Sequence, residues 1–414
     1  MVILYLDRPK PNGDNSPLPF LLPRSFNEDS ESAALVLAFG KLSALEACAM
    51  LRGSVDGLEL PSERILTLRM QPSIPKAVPG LAGIHKFVLL LAQADTNGHG
   101  VETLVERIAA RVDEISNFSV SAYGIVSDDY EEFVQLLLSA FRSGGFKKIH
   151  LIRSDEQELR ADQVAARNSL DIVVFPHHGH FSLGLTSFVT DSTPLRNRGK
   201  EKPVPRSEIS MSPRLAKVLV NLSGVGPGQT LLDPFCGSGT ILGEGLLKSL
   251  HCIGIDSWRR TIDEARQNLQ WISSGRPDRS QFRLIVGDAR DTRGLLGDKA
   301  MVDGVATEPI LLPKLRGQPN FDVMKEAIAG AGDVYADALD SVVRVVRPGG
   351  RIVVTVPVVQ TTDGTEIFVG LDGRPLGLKL FQPGPVQFHY PIKLSFESTR
   401  WVKRAVYVFE TEAL

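Results

Sequence analysis

The chain has 414 residues, a net charge of −2, 43% hydrophobic and 23% charged residues, so it is too long for one ordinary core and predicts two or three soluble globular domains. A near-zero net charge excludes a uniformly basic polyanion binder, and any nucleic-acid contact must come from local basic patches. Three cysteines with no pairing pattern, Cys48, Cys236 and Cys252, exclude a disulfide framework and a cysteine-based zinc site; the expectation is a cytoplasmic chain with no resident metal.

Val2 to Leu6 reads as an edge strand too short for a signal peptide, and Asp7 to Ser32 as a loose connector rich in Pro, Asn, Asp and Ser. No apolar run approaches membrane-spanning length. Ala34 to Phe39 is a buried strand, and Ser43-Ala-Leu-Glu46 is a capping box opening a helix that ends at Gly53. Strands follow at Ile65–Met70 and Phe87–Leu91, then an amphipathic helix over Val101–Ile115 and an alternating strand over Phe118–Ile125. Tyr130–Phe146 is a helix, Ile149–Ile152 a strand, Ala161–Asn168 a short helix, Ile172–Phe175 a strand, and a polar strand runs from Leu183 to Asp191. His177, His178 and His180 form H-H-G-H at a strand end; with no cysteine or carboxylate at a matching spacing, a polar turn is favoured over a metal site.

Between Pro194 and Arg214 lie Arg196, Arg198, Lys200, Lys202, Arg206 and Arg214 against only Glu201 and Glu208. Such a run is either a solvated linker or a phosphate contact. Met211 to Gly224 is the next helix, with Ser212 as its N-cap and Pro213 at the first position.

Thr230 to Asp256 then reads strand, glycine turn, helix, strand. Gly237 and Gly239 let the backbone turn tightly and approach a ligand at a helix N-terminus, and Asp256, 23 positions after Asp233, stands where an acid grips a ribose diol. Leu242 occupies the place of a dinucleotide loop's third glycine, and Gly239 is followed by Thr240 rather than by Lys-Ser, which disfavours NAD and ATP. The acid at the turn, Asp233, would repel phosphates but suits a cationic nucleoside carrying an ammonium and a sulfonium, S-adenosylmethionine.

The segment Asp233, Pro234, Phe235, Cys236, Gly237, Ser238, Gly239, Thr240 resembles motif I of the class I methyltransferases that act on base amino groups. Its setting, with Leu159–Leu170, the strand from Leu183, the basic segment and Met211–Leu222 in front of it, resembles the THUMP-containing tRNA guanine-N2 methyltransferases of the guanosine-10 type. That resemblance implies an α/β fold: a Rossmann-like class I domain with a seven-stranded mixed sheet over 211–414, an α+β THUMP-like RNA-binding region over 1–190, and a basic linker over 191–210. It also implies that the motif I loop, Asp256 with Ser257, Asp288 with Ala289, and the helix capped by Ser212 bind S-adenosylmethionine. Arg196, Arg198, Lys200, Lys202 and Arg206 become candidates to bind tRNA.

Trp258–Ile272 is the second helix of this domain, Phe282–Val286 its third strand and Val302–Ala306 its fourth. The fourth strand leads into Thr307-Glu308-Pro309-Ile310, where the family carries Asp/Asn-Pro-Pro-Tyr/Phe. Thr307, Glu308 and Pro309 are therefore the catalytic candidates, with Glu308 as acceptor for the exocyclic amine. Ile310 supplies no aromatic face for the base, and Phe321 is one candidate to supply it instead. Asp322–Val346 is a long helix, Arg347-Pro-Gly-Gly350 a turn into strand Arg351–Val356, Gly370–Pro385 a loop, and Val402–Glu410 a reversed final strand. The implied activity is methylation of a guanine N2 amine in tRNA; the alternatives are a DNA amino-methyltransferase and a cofactor-binding protein without turnover.

Overall fold

The computed structural model describes residues 32–51, 57–69, 77–95, 97–110, 115–146, 148–153, 163–164, 169–205, 211–274, 282–309, 312, 317–384, 386–394 and 401–412. The expected strand Val2–Leu6, its connector, Ile310 and Arg206 fall outside them. The chain divides into two compact units, one comprising 1–44 and 51–194, the other 45–50 and 195–414. Among the described residues no helix is long and apolar enough to cross a membrane.

The first unit is built on one sheet of eight strands: β1 (Ser32–Leu37), β2 (Glu59–Ser62), β3 (Ile65–Arg69), β4 (Ile84–Ala94), β5 (Asn117–Ala122), β6 (His150–Leu151), β7 (Leu170–His177) and β8 (His180–Val189). Their order is β2-β3-β1-β4-β8-β7-β5-β6, with β5 parallel to β6 and β7 and the other neighbours antiparallel. The connections carry helices α1 (Lys41–Met50), whose residues 45–50 count with the second unit, α2 (Val101–Ala109) and α3 (Ser127–Ser143). α2 buries Val101, Leu104, Val105 and Ile108, the apolar stripe read from the sequence, but ends six residues short of Ile115.

α1 starts two residues before the expected capping box. The Ser43 hydroxyl sits inside the first turn and accepts from the Phe39 N–H at 2.9 Å, and Glu46 is buried with its carboxylate on the Asn221 amide at 2.6 Å. The expected polar strand from Leu183 is in fact buried along Ser182–Val189, because β8 lies between β4 and β7 in the middle of the sheet. Of the expected helix Ala161–Asn168, only Gln163 and Val164 are described, both helical.

One charged pair sits inside this sheet. Lys86 of β4 and Asp171 of β7 are both 0% exposed and meet at 3.0 Å. Ser121 accepts from the Lys86 ammonium at 2.8 Å, and Asp171 accepts from Ser119, Ser121 and Thr186 at 3.0, 2.8 and 2.6 Å. Fully hydrogen-bonded, the pair is tolerable in a low dielectric, whereas either ion alone is not.

The second unit opens with α4 (Thr193–Glu201) and α5 (Pro213–Leu222), whose N-cap is Ser212 as expected: its hydroxyl accepts from the Leu215 N–H at 3.2 Å. There follow β9 (Thr230–Asp233), α6 (Thr240–Leu247), β10 (His251–Asp256), α7 (Arg259–Ser273), β11 (Phe282–Val286), α8 (Thr292–Leu296), β12 (Val302–Thr307), α9 (Phe321–Val343), β13 (Val346–Gln360), β14 (Glu366–Phe368), β15 (Leu378–Leu380), β16 (Ile392–Lys393) and β17 (Val402–Thr411). Seven strands run β11-β10-β9-β12-β13-β17-β15, with β14 added beside β13 and β16 beside β17. The first five are parallel and β17 is reversed, the mixed sheet expected of a class I methyltransferase fold.

Two local expectations are corrected. Arg347-Pro-Gly-Gly350 lies within the bounds of β13, across a shift in its register with β12, instead of preceding the strand. The expected loop Gly370–Pro385 contains β15, which the long β17 recruits as an outer partner.

Removing one partner of the Lys86–Asp171 pair should be far worse than removing both. Asp171→Ala is expected to destabilise the chain by about 3–5 kcal/mol, while Lys86→Met with Asp171→Leu regains most of the loss. Urea unfolding of the three proteins checks this; equal losses in the single and double variants would contradict it.

Candidate active site

Parallel pairing gathers the site. Leu231 of β9 faces Cys252 of β10 on one side and Gly304 of β12 on the other, so the carboxyl ends of three strands open on one edge. Between β9 and α6 the chain turns through Gly237 (φ +50°) and Gly239 (φ +85°), backbone angles that L side chains rarely adopt. At Gly239 a Cβ would also meet Leu269 at 3.3 Å and Ala265 at 3.4 Å, whereas at Gly237 it would find no protein atom nearer than 4.0 Å.

Asp256 ends β10 and ties the loop down. Its Oδ2 accepts from the Gly237 N–H at 3.1 Å and its Oδ1 from the Trp258 N–H at 2.9 Å. A cleft of about 760 Å³ opens beside it, lined by Pro234, Phe235, Gly237, Asp256, Ser257, Asp288, Ala289, Glu308 and Pro309 together with Trp258, Arg260, Thr261, Arg290 and Val334. That volume suits a nucleoside-sized ligand. Nine of the residues singled out from the sequence thus share one wall.

Others named from the sequence turn away from it. Asp233 is 1% exposed; its Oδ1 accepts from the Thr307 hydroxyl at 2.7 Å and the Phe235 N–H at 3.2 Å. It acts on the cleft as a buried charge, and Thr307, itself buried, is a brace between β12 and β9 rather than a residue of the cleft wall. Cys236 is buried at the β10 side, where a Cβ on Gly254 would approach its sulfur to 2.9 Å, and burial pushes its thiol well up. Ser238 and Thr240 are engaged toward the protein: the Asn268 amide donates to the Ser238 carbonyl at 3.0 Å and Lys202 to the Thr240 hydroxyl at 3.3 Å.

Asp288 opens a 3₁₀ turn, accepting from the Arg290 N–H at 2.9 Å, and its two oxygens chelate the Arg290 guanidinium, which holds its carboxyl below the usual value. The larger surprise is Glu308. Its carboxylate is paired with the guanidinium of Arg404 on β17, through Nε to Oε1 and through Nη2 to Oε2 at 3.5 Å, with both side chains less than one fifth exposed. Arg404 lies 96 residues away and carries no local signature. Trp258, 72% exposed on the cleft wall, also went unnoticed in the sequence; Phe321 stands at the first turn of α9.

Thr193–Glu201 of the basic segment forms α4, and Arg198 makes a two-point ion pair with buried Glu244 of α6 at 2.8 and 3.0 Å. Lys202 is buried, which lowers its pKa, and the Val204 backbone exchanges hydrogen bonds with Asn268 at 2.9 and 3.3 Å. Arg198 and Lys202 are thereby committed inside the second unit; Arg196 and Lys200 of α4 are exposed.

With this geometry in place, residues 204–361 match the family described as RMKL-like, methyltransferase domain. The tRNA (guanine(10)-N2)-dimethyltransferase of Methanothermobacter thermautotrophicus is 36% identical over 148 residues, 36% of this chain and 39% of that protein. The enzyme of the same name from Pyrococcus abyssi is 31% identical over 120 residues, 27% of this chain and 34% of its own. The aligned stretch thus spans about two fifths or less of these two relatives. The crystal structures of TrmN from Thermus thermophilus (TM-score 0.50, 19% identity, 92% of this chain and 99% of that one) and of a possible methylase from Clostridium difficile 630 (TM-score 0.50, 15% identity, 93% and 99%) share the fold. The second unit therefore has a class I methyltransferase fold, and its residues 204–361 are similar to the RMKL-like methyltransferase domain.

Burial lifts the Asp233 carboxyl from 3.8 to about 7, with Asp256 and Glu308 adding to the rise and the Thr307 hydroxyl and Phe235 N–H opposing it. An acid whose folded value lies above its unfolded one takes up a proton on folding, so its contribution is full below 3.8 and is lost as pH rises through about 7. The loss is at most about 1.4 kcal/mol per pH unit. Asp233→Asn, which keeps the shape, should flatten this decline in denaturant unfolding measured across the same window; an unchanged slope would contradict it.

Proposed function

We propose that the chain transfers a methyl group from S-adenosylmethionine to the exocyclic N2 amine of a guanine in tRNA, with guanosine-10 the favoured position, and that the first unit serves as its THUMP-like RNA-binding region. The observation that carries this is the placement of Glu308, an acceptor on the β12 end, in the same cleft as Asp256 and the Gly237 turn. The activity for which the Methanothermobacter thermautotrophicus and Pyrococcus abyssi relatives are named agrees with it.

The cleft's residues suit the cofactor. Asp256 spends one lone pair of each oxygen on backbone N–H groups and keeps others for a ribose diol. Open space beside Gly237 allows close approach to the loop. Three carboxylates, Asp233, Asp256 and Glu308, concentrate negative potential suited to a cation. Bound there, S-adenosylmethionine supplies an electrophilic methyl on its sulfonium. Glu308 would accept the amine's N–H bonds and hold the nitrogen in line for attack, while Pro309 stiffens the turn that aims it.

The Arg404 pair favours one competing reading: a protein that binds the cofactor and is silent while Glu308 is engaged. The test is label transfer from S-adenosylmethionine to unmodified tRNA, with nucleoside mass spectrometry of the product. Asp256→Ala should weaken cofactor binding by about 1.5–3 kcal/mol, as loss of a charged hydrogen-bond acceptor does. Glu308→Ala should lower turnover by about 10²–10³ without changing cofactor affinity. If Arg404 aims Glu308, Arg404→Met lowers turnover about tenfold or more; a rise in turnover selects the silent state. Labelled duplex DNA with unlabelled tRNA would move the substrate to DNA.

Arg196 and Lys200 give a second handle on the RNA. Neutralising both should reduce the salt slope of tRNA binding by roughly 1.4–1.8, at about 0.7–0.9 per lost phosphate contact. An unchanged slope would make α4 a solvated face.

A further inference from the structure

The H-H-G-H segment of the first unit is not an isolated polar turn. His178 (φ +52°) and Gly179 (φ +78°) form the two-residue turn of the β7–β8 hairpin, which sets His177 against His180 in register. The rings of His177 and His178 lie 4.2 Å apart at their centroids, and the Nε2 atoms of both converge on one oxygen, Oε2 of Glu59, at 3.0 and 2.7 Å. Glu59 comes from β2, at the far end of the sheet order from β7 and 118 residues from His177. The carboxylate that the sequence lacks at any ligand spacing is therefore delivered by the tertiary fold.

The three donor atoms lie within 4.8 Å of one another. A tetrahedral ion held at zinc distances needs its ligands about 3.3 Å apart, so small side-chain rotations open the cluster enough to admit one. The second nitrogen of His177, Nδ1, is 3.4 Å from the Ser182 hydroxyl, the outer partner that fixes a ligand imidazole with its Nε2 lone pair directed inward. Glu59 and His178 are exposed, which gives an ion a path in. The same three residues border a cleft of about 720 Å³ that also includes Thr67, Arg69 and Gln93, so a fourth coordination position faces a polar space.

We propose that Glu59, His177 and His178 bind a divalent transition-metal ion of the zinc class, with the fourth position open to the adjoining cleft. Two imidazoles and one carboxylate match the borderline donors that Zn²⁺ prefers over the all-oxygen set of Mg²⁺ or Ca²⁺. The site lies wholly in the first unit and is independent of the methyl-transfer reading.

The test uses the full chain without a histidine tag, stripped with a chelator and then titrated with Zn²⁺ by calorimetry and with Co²⁺ by visible absorption. One equivalent should bind, and Co²⁺ should develop the intense ligand-field bands of a four-coordinate ion. Glu59→Gln, His177→Asn and His178→Asn should each weaken binding by roughly 100-fold or more, a loss that removing a mere supporting contact can already approach. His99→Asn, on a separate exposed pair with Asp95, should leave it unchanged. Thermal unfolding in chelator verifies that each variant folds. The proposal is overturned if the wild type binds no stoichiometric metal, if the triple variant binds as the wild type does, or if Co²⁺ remains six-coordinate.

Discussion

The second unit turns on the hydrogen bond from the Thr307 hydroxyl to the Asp233 carboxylate, 2.7 Å long and closed off from solvent. It joins the carboxyl ends of β9 and β12, the two strands whose following loops both line the cleft. A buried carboxylate is expensive unless it is hydrogen-bonded or protonated. Asp233 uses both remedies: Thr307 and the Phe235 N–H stabilise the ion, while burial and the neighbouring acids push toward the neutral form, and the balance falls at about 7. A cation entering the cleft tips that balance toward the ion. The site is thus electrostatically unsatisfied in a way that a positively charged ligand corrects, with no need for direct contact between that ligand and Asp233.

Much of this was legible because it is local. Strand, glycine turn, helix and strand succeed one another within Thr230–Asp256, and each signal (apolar run, positive-φ glycine, N-terminal turn of α6) is decided by a few adjacent residues. For the same reason the Ser212 cap was readable. Which side chains of a motif face the ligand is not local. Cys236 and Thr240 belong to the loop yet turn toward β10 and Lys202, because their orientation follows from what packs behind the loop. The partners of the basic segment are not local either: Glu244, an acid within the otherwise apolar face of α6, holds Arg198.

The first unit gives the complementary lesson. Lys86 interrupts the apolar strand β4, and Asp171 opens the apolar run of β7; read singly, each is an exposed residue at a strand edge. Their pairing across β8, helped by Thr186 from β8 itself, makes them interior. Glu59 and the histidines obey the same logic, since a sheet that brings its far strand back toward the β7–β8 turn creates a cluster no spacing rule could list. Long-range polar pairs are where this sequence conceals most.

Glu308 joins the two lessons. The family resemblance expects Asp or Asn at this place, and the longer side chain was read as a departure in the acceptor alone. Glu adds one methylene, about 1.5 Å of reach, and Arg404 of β17 stands to meet it. With aspartate there, the guanidinium, less than one fifth exposed, would lose this close partner. The cation fixes the carboxylate's direction, and it also competes with the amine for the same oxygens. The Nη2 to Oε2 distance of 3.5 Å is at the limit of a hydrogen bond, so the close contact of the pair is the one from Nε to Oε1, and an amine entering the cleft must share the carboxylate with that guanidinium.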